Sequence, residues 1–482
     1  MRYSPILLIA SIAPSVHAFY PYEIKVSPSL EISAEPKAHR RFFPWKLVDE
    51  GSADDASLAQ PFTLDIKKGP ARRGDTYAIV KSNTPTLKNS AALDQDGEDF
   101  SYFAVVDVGS QKQEMWMALD TGSPSSWVFS SLCTDSVCQR HHKFDKSASS
   151  SYSSSNSIFT IGYGSGTVRG SLGTDTFSLA DMDVTLTFGT ATSANDTFAS
   201  YPFDGILGLG RSRTGGWGIS SFMDVVAEKK LLPANIVGFS LSRAKDDKKD
   251  GEVNFGGVDT TRFDGNISYI ATNAETWTIP MDDAYVNGKA LGLTNRAATI
   301  DTGTTYILIP PADAAALFAH VPNSYRSGEN FIIPCNSTAT IEFAFAGIKY
   351  SILPEDYIGA SSTGGCVATI VGHESSGPND WLVGDVFLKN VYSVFDFDNG
   401  QIGFGTLASP NSTGNGTAEI PPVSSSTVSA ATTAADSPST PSTTRTAATP
   451  TIDTVMHTGA ATRLSQSVGL SLIATLTGMF FI

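Results

Sequence analysis

Two short stretches of the chain hold residues able to do acid–base chemistry as a pair. Leu119-Asp120-Thr121-Gly122-Ser123 recurs, 181 residues later, as Ile300-Asp301-Thr302-Gly303-Thr304. Each copy has one carboxylic acid, two neighbouring hydroxyls and a glycine, and each follows an apolar run. A single Asp-Thr-Gly is a common turn sequence. Here each copy also has a downstream partner of two apolar residues and a glycine. These partners are Ile206-Leu207-Gly208 and Leu382-Val383-Gly384, at offsets of 88 and 83 residues from the aspartate. An internal repeat of that size describes two homologous lobes facing each other.

The residue types say what such a pair would do. Glycine after Asp-Thr permits a sharp turn and leaves the carboxylate at a loop tip where a strand ends. Two such tips meeting across a lobe interface would bring two carboxyls within hydrogen-bond distance. Like charges that close cannot both ionise, so one proton is shared and the two pKa values separate. In mild acid the ionised partner takes a proton from water, and the protonated partner donates to a substrate carbonyl oxygen. That is hydrolysis of a peptide bond with no covalent intermediate, no metal and no cofactor.

The elements that must hold these tips read as strands. From about Phe100 to Leu407, short β-branched and aromatic runs recur between Gly, Asn, Asp and Ser turns. Ser101-Tyr102-Phe103-Ala104-Val105-Val106 and Val391-Tyr392-Ser393-Val394-Phe395 are examples. The fold class expected is all-β and bilobal, with an N-terminal lobe over residues 98–265, a C-terminal lobe over residues 266–407 and a cleft between them. Only residues 222–230 and 312–320 read as helices. His141-His142 reads as a solvated pair in a loop. The four cysteines are an even set that suits an oxidising compartment, and their spacings lack the paired knuckles of a zinc site.

Several further segments join the doubled motif. Trp127 closes Asp120-Thr-Gly-Ser-Pro-Ser-Ser-Trp127. Ile161-Gly162-Tyr163-Gly164-Ser165-Gly166 sets three glycines around Tyr163. Phe203-Asp204-Gly205-Ile206-Leu207-Gly208-Leu209 and Trp381-Leu-Val-Gly-Asp-Val-Phe-Leu388 surround the two downstream partners. Together, over residues 98–406, they resemble the pepsin family of aspartic proteases, and in particular its GPI-anchored, yapsin-like members. Aspartic proteases are the general example of the split carboxyl pair described above.

The resemblance implies that Asp120 and Asp301 are catalytic. It implies that Ser123 and Thr304 hydrogen-bond their outer oxygens, and that Thr121 and Thr302 bond across the lobe interface. Tyr163 would close over the substrate as the flap tyrosine and, with Trp127, order the flap. Gly164 and Ser165 would contact the main chain of a protein or peptide substrate bound extended. Phe203 and Ile206 would wall an apolar subsite. In the same frame Cys133 pairs with Cys138 and Cys335 with Cys366, since the alternative pairings would tie the two lobes together. By chain entropy the longer loop contributes about 3–4 kcal/mol and the shorter about 2.

The ends of the chain read differently. Residues 1–18 have a positive start at Arg2, a short apolar run and Val16-His17-Ala18, the pattern of a signal peptide. Residues 19–73 end in Lys67-Lys68 and Arg72-Arg73, which reads as a propeptide with dibasic processing sites. Residues 408–459 are dominated by Ser, Thr, Pro and Ala, like an O-glycosylated stalk. The tail over residues 460–482 ends in an apolar run behind small residues, the pattern of a GPI signal with Gly459 as the attachment candidate.

Sequons at Asn195, Asn266, Asn336, Asn411 and Asn415 fit passage through a secretory pathway. The expected location is the outer face of the cell membrane or the cell wall, as a GPI-linked monomer. With 48 acidic against 33 basic side chains the chain repels phosphate backbones, which excludes nucleic acid as a partner. The rival function is an inactive pepsin-like binding module or cell-wall adhesin. Loss of either aspartate would favour it, and both are present.

Overall fold

The computed structural model describes the backbone of residues 21–28, and residues 77–164, 166–211, 218–272, 275–362 and 364–408 in full. The chain divides into two units, residues 1–422 and 423–482, and every described residue lies in the first. The signal peptide, the stalk, the tail and most of the propeptide expected from the sequence lie outside the described residues. So do Ser165, Asn411, Asn415 and Gly459.

The architecture is the all-β bilobal fold expected. The first half is built on a nine-stranded sheet, in the order Pro21–Pro28, Ser153–Tyr163, Gly166–Leu179, Met182–Ala194, Trp127–Phe129, Gly205–Gly208, Gln113–Asp120, Tyr102–Val108 and Asp94–Gln95. The second half has a five-stranded sheet and two of four strands. A six-stranded sheet joins the halves. It takes Ile236–Ser240 and Glu252–Phe255 from before the expected lobe boundary, and Val391–Asp396 and Gln401–Leu407 from after it. Residues 265 and 266, where the boundary was expected, fall inside the strand Phe263–Ala271.

The repeat in the sequence is a repeat in the pairing. Gln113–Asp120 runs parallel to Gly205–Gly208, which is also antiparallel to Trp127–Phe129. In the second half Arg296–Ile300 runs parallel to Asp380–Val383, which is antiparallel to Ile307–Ile309. Each Asp-Thr-Gly therefore ends a strand whose parallel neighbour is its own apolar-apolar-glycine partner. A short β-branched run buried on both faces is what an interior strand requires. Ile307–Ile309 and Val391–Asp396 are buried along their whole length.

Two helices occupy the stretches expected. Phe222–Glu228 starts at a capping box, in which the Ser221 hydroxyl accepts from the Asp224 amide and the Asp224 carboxylate accepts from the Ser221 amide. Pro311–Phe318 begins with proline at its first turn, where no donor is lost. Pro354–Tyr357 and Asp385–Leu388 are additional single turns, too short to leave a periodic signal in the sequence. One apolar core runs through both halves, and a second, with Trp127, Phe159, Tyr163, Phe198 and Phe203, lies under the hairpin of residues 153–179. The disulfides are Cys133–Cys138 and Cys335–Cys366.

Candidate active site

Asp120 ends its strand and Asp301 follows the end of the equivalent one, so the two halves present both carboxyls to each other, and both are wholly buried. The strand ends are held by their neighbours: Leu209 donates its amide to the Asp120 carbonyl (2.7 Å), and Asp301 donates its own to the Val383 carbonyl (3.0 Å). Between them the threonines make a reciprocal clamp. The Thr121 hydroxyl accepts from the Thr302 amide (3.0 Å) and donates to the Ile300 carbonyl (3.0 Å). The Thr302 hydroxyl accepts from the Thr121 amide (3.1 Å) and donates to the Leu119 carbonyl (2.5 Å). Each side chain thus satisfies two buried backbone groups of the other half.

The glycines serve a purpose other than the one read from the sequence. Neither Gly122 nor Gly303 has a positive φ. A Cβ on Gly122 would lie 2.6 Å from Asp301 Oδ1, and one on Gly303 would lie 2.5 Å from Asp120 Cγ. Glycine is needed because the carboxyl of one half packs directly on the backbone of the other, and the turn itself would accept other residues.

The donors around the pair are unequal. Asp301 Oδ1 accepts from the Gly303 amide (2.8 Å) and the Gly122 amide (3.1 Å), and its Oδ2 accepts from the Thr304 hydroxyl (2.5 Å). Asp120 Oδ1 accepts from the Gly122 amide (2.8 Å) and the Ser123 amide (3.0 Å). Its Oδ2 receives no amide or hydroxyl donor among the described residues. Ser123 and Thr304, which the resemblance gives matching parts, differ here. Thr304 sits on the outer oxygen of Asp301, whereas the Ser123 hydroxyl is turned to the Ser125 amide (3.4 Å) and to Tyr163.

Burial raises both carboxyls above the usual aspartate range. Asp120 rises well above it, with the nearby Asp301 charge adding to desolvation, while the donors on Asp301 hold that carboxyl closer to its ordinary value. The stronger rise makes Asp120 the carboxyl that keeps its proton and Asp301 the one that ionises first. The pair loses its protons as a unit, in two steps.

Tyr163 stands at the end of the hairpin strand Ser153–Tyr163. It is buried, and its hydroxyl accepts from Trp127 Nε1 (3.0 Å). Burial first, then the Asp120 charge, pushes its phenol up, which puts this ring in the electrostatic field of the pair. Phe203 and Ile206 are buried in the same cluster as Trp127 and Tyr163. Gly164 is exposed at the hairpin tip. Asn195, Asn266 and Asn336 are all exposed, and the Asn195 side-chain Oδ1 accepts from the Thr167 amide (2.6 Å) just beyond that tip.

Some features had no reading in the sequence or a different one. Asp385, next after Leu382-Val383-Gly384, is fully buried. Burial pushes its carboxyl well above the usual range, Lys389 opposes that, and the Asp301 charge adds to it. His141 and His142 are built into the fold, where a solvated loop was expected. His141 is buried and stacked on Phe129 at 4.4 Å, and His142 Nδ1 lies 2.9 Å from the buried Asp204 carboxylate. Phe100, Tyr201 and Tyr306 form an aromatic contact between the two halves. Tyr306 also lines a cavity of about 230 Å³ with Asn330, Ala360, Val367 and Val371.

Comparison with known proteins agrees with this geometry. Residues 101–407 match the family model described as eukaryotic aspartyl protease. An aspartic-type endopeptidase ctsD of Aspergillus fumigatus is 48% identical over 419 residues, covering 85% of this chain and 88% of that protein. A probable aspartic-type endopeptidase CTSD of Arthroderma benhamiae is 38% identical over 412 residues, 82% of this chain and 79% of its own. Dog pepsin A is 32% identical over 382 residues, 77% of this chain and 95% of its own. These relatives carry the pepsin-like likeness, while the narrower likeness to GPI-anchored, yapsin-like members stands on the sequence motifs alone. The chain belongs to the eukaryotic aspartyl protease family and is a pepsin-like aspartic endopeptidase.

Proposed function

We propose that Asp120 and Asp301 are the catalytic carboxyls of this endopeptidase and act on peptides bound extended across the cleft. The observation that carries this is one amide, Gly122 N–H, reaching both buried carboxyls at the meeting of the two repeats. Ionised Asp301 takes a proton from water as its oxygen attacks the scissile carbonyl carbon. Asp120 gives its proton to the carbonyl oxygen, forming a neutral gem-diol. Collapse of that diol returns one proton to Asp120, and the proton taken up by Asp301 passes to the leaving nitrogen. Thr121 and Thr302 fix the spacing, while Thr304 keeps Asp301 ionised. Tyr163, ordered by Trp127, closes with Gly164 and Ser165 over the substrate main chain, and Phe203 and Ile206 back an apolar subsite.

The same reading covers the whole precursor. Residues 1–18 send the chain into the secretory pathway, and residues 19–73 are removed on maturation. Asn195, Asn266 and Asn336 take glycans, as do Asn411 and Asn415 in the stalk. Residues 408–459 carry the enzyme away from a GPI anchor attached near Gly459. Exposure of the first three asparagines supports their part in this.

The test is hydrolysis of a generic fluorogenic peptide by enzyme matured from the full chain. Activity should peak in acid, yield to a hydroxyl-bearing mimic of the gem-diol, survive chelators and vanish in Asp301→Ala. Undiminished activity at pH 8 or in the variant would exclude the carboxyl pair.

A further inference from the structure

Residues 21–28 lie within the segment read as a propeptide, yet their backbone is a strand of the nine-stranded sheet. Pro21–Pro28 runs antiparallel to Ser153–Tyr163, the first strand of the flap hairpin. The register places Pro28 opposite Ser157, Val26 opposite Phe159, Lys25 opposite Thr160, Ile24 opposite Ile161 and Pro21 opposite Tyr163. The other side of Ser153–Tyr163 is taken by Gly166–Leu179, the hairpin's second strand. The added strand therefore occupies what is otherwise the flap's open edge. It ends at Tyr163, the ring that meets Trp127 and lies in the field of Asp120.

The sequence suits this place. Tyr22-Glu23-Ile24-Lys25-Val26-Ser27 alternates apolar and polar residues with the period of a strand. The prolines at either end cannot donate to a ladder, so every amide this strand can donate comes from the run between them.

We infer that the outer edge of the flap hairpin is a strand-binding surface whose occupant is residues 21–28, and that this strand holds the flap shut over Asp120 and Asp301 in the precursor. The inference rests on reading residues 19–73 as a propeptide and the two aspartates as the catalytic pair. Met182–Ala194 pairs with the hairpin's second strand only from Val168 on, so the tip beyond it is a two-stranded piece, marginal by itself. A third strand adds a row of backbone bonds that must break before an extended substrate can enter. Recognition of this kind is made by main-chain groups, so acid does not titrate it away. Release comes instead from cleavage behind a dibasic pair. Cleavage turns an intramolecular contact, closed across residues 29–76, into a bimolecular one that dilution dissociates.

The test uses the full chain carrying Lys25→Cys with Thr160→Cys, which face each other in the register. The pair should cross-link on mild oxidation, while Lys25→Cys with Ile158→Cys, two residues out of register, should not. After cleavage at the dibasic pairs by an added protease and acidification, the cross-linked chain should keep less than a tenth of the activity of either single variant. Absence of the cross-link, or full activity with it in place, overturns the inference.

Wild-type chain gives a second measurement that needs no cysteine. Backbone amides of residues 157–163 should exchange with deuterium at least tenfold faster after processing than before, and equal rates overturn the inference. Exchange in an Asp301→Asn precursor separates the two readings. Protected amides in a variant that remains an active protease would sink the catalytic assignment alone. Freely exchanging amides in an inactive variant would sink the flap strand alone.

Discussion

Replacing Thr304 by valine removes one hydroxyl and little volume, and it should move one limb of the pH profile. The hydroxyl donates to Asp301 Oδ2 at 2.5 Å inside a fully buried site, and that oxygen has no other hydrogen-bond donor among the described residues. Hydrogen bonds to charged groups contribute about 1.5–3 kcal/mol. One pKa unit corresponds to about 1.4 kcal/mol, so losing this donor should raise the first ionisation of the pair by roughly 1–2 units. The direction follows from what the hydroxyl stabilises. It favours the carboxylate over the acid, so its loss makes the first proton harder to remove. Activity needs one carboxyl ionised and one protonated, and the acid limb of kcat/KM against pH reports that first ionisation. Thr304→Val should shift the limb upward by about that amount, with a loss of tenfold or more at the low-pH end and little change at the optimum. Ser123→Ala is the contrast. Its hydroxyl faces the Ser125 amide and Tyr163, and the Ser123 amide that Asp120 uses survives the substitution. The acid limb should stay in place. An unmoved limb in Thr304→Val, or equal shifts in the two variants, would refute the asymmetry between the carboxyls.

Other expectations follow from the same contacts. Thr121→Val should cost roughly 2–6 kcal/mol in denaturant unfolding, because it strands the buried Thr302 amide and the Ile300 carbonyl, at about 1–3 kcal/mol each. The matching Thr302→Val should cost about the same, and both should lower kcat more than they raise KM. Stability should fall as pH climbs above about 4 towards neutrality. Burial raises Asp94, Asp96, Asp120, Asp301, Asp385 and Glu252 above their ordinary values, so their contribution is complete below those values and is lost as pH climbs through the folded ones. Asp356 and Asp259 are lowered, by Arg243 and Lys389 for the first and by Thr261 foremost for the second. They act in the opposite sense, and their loss sets the acid edge. Thermal unfolding read across that range checks the sign. Phosphatidylinositol-specific phospholipase should release the enzyme from membranes of expressing cells, and retention after treatment would count against the GPI anchor.

The fold was legible because its main device is a repeat. Two copies of Asp-Thr-Gly, each with a downstream apolar-apolar-glycine, translate into two strands each paired in parallel with that partner. Local patterns sufficed for the longer strands and for the two helices with start signals at Ser221 and Pro311. What escaped depends on contacts between distant residues. The need for glycine at 122 and 303 comes from a carboxyl in the other half, about 180 residues away in sequence. Which way the Ser123 hydroxyl turns is a rotamer choice settled by Tyr163 and Ser125. The burial of the adjacent histidines has no local signature, because Asp204, whose carboxylate holds His142, lies 62 residues on. Asp385 lies within Trp381–Leu388, and its burial near the Asp301 charge has no local signature.

The central claim is that Asp120 and Asp301 work as one proton-sharing unit. The most direct test is kcat/KM at one acidic pH for matured wild type, Asp120→Asn, Asp301→Asn and the double variant. Groups that act as a unit are non-additive on removal, so each single change should cost about 10³-fold or more and the double no more than roughly tenfold beyond either. A single variant that keeps a tenth of the activity, or single losses that multiply in the double, would contradict it.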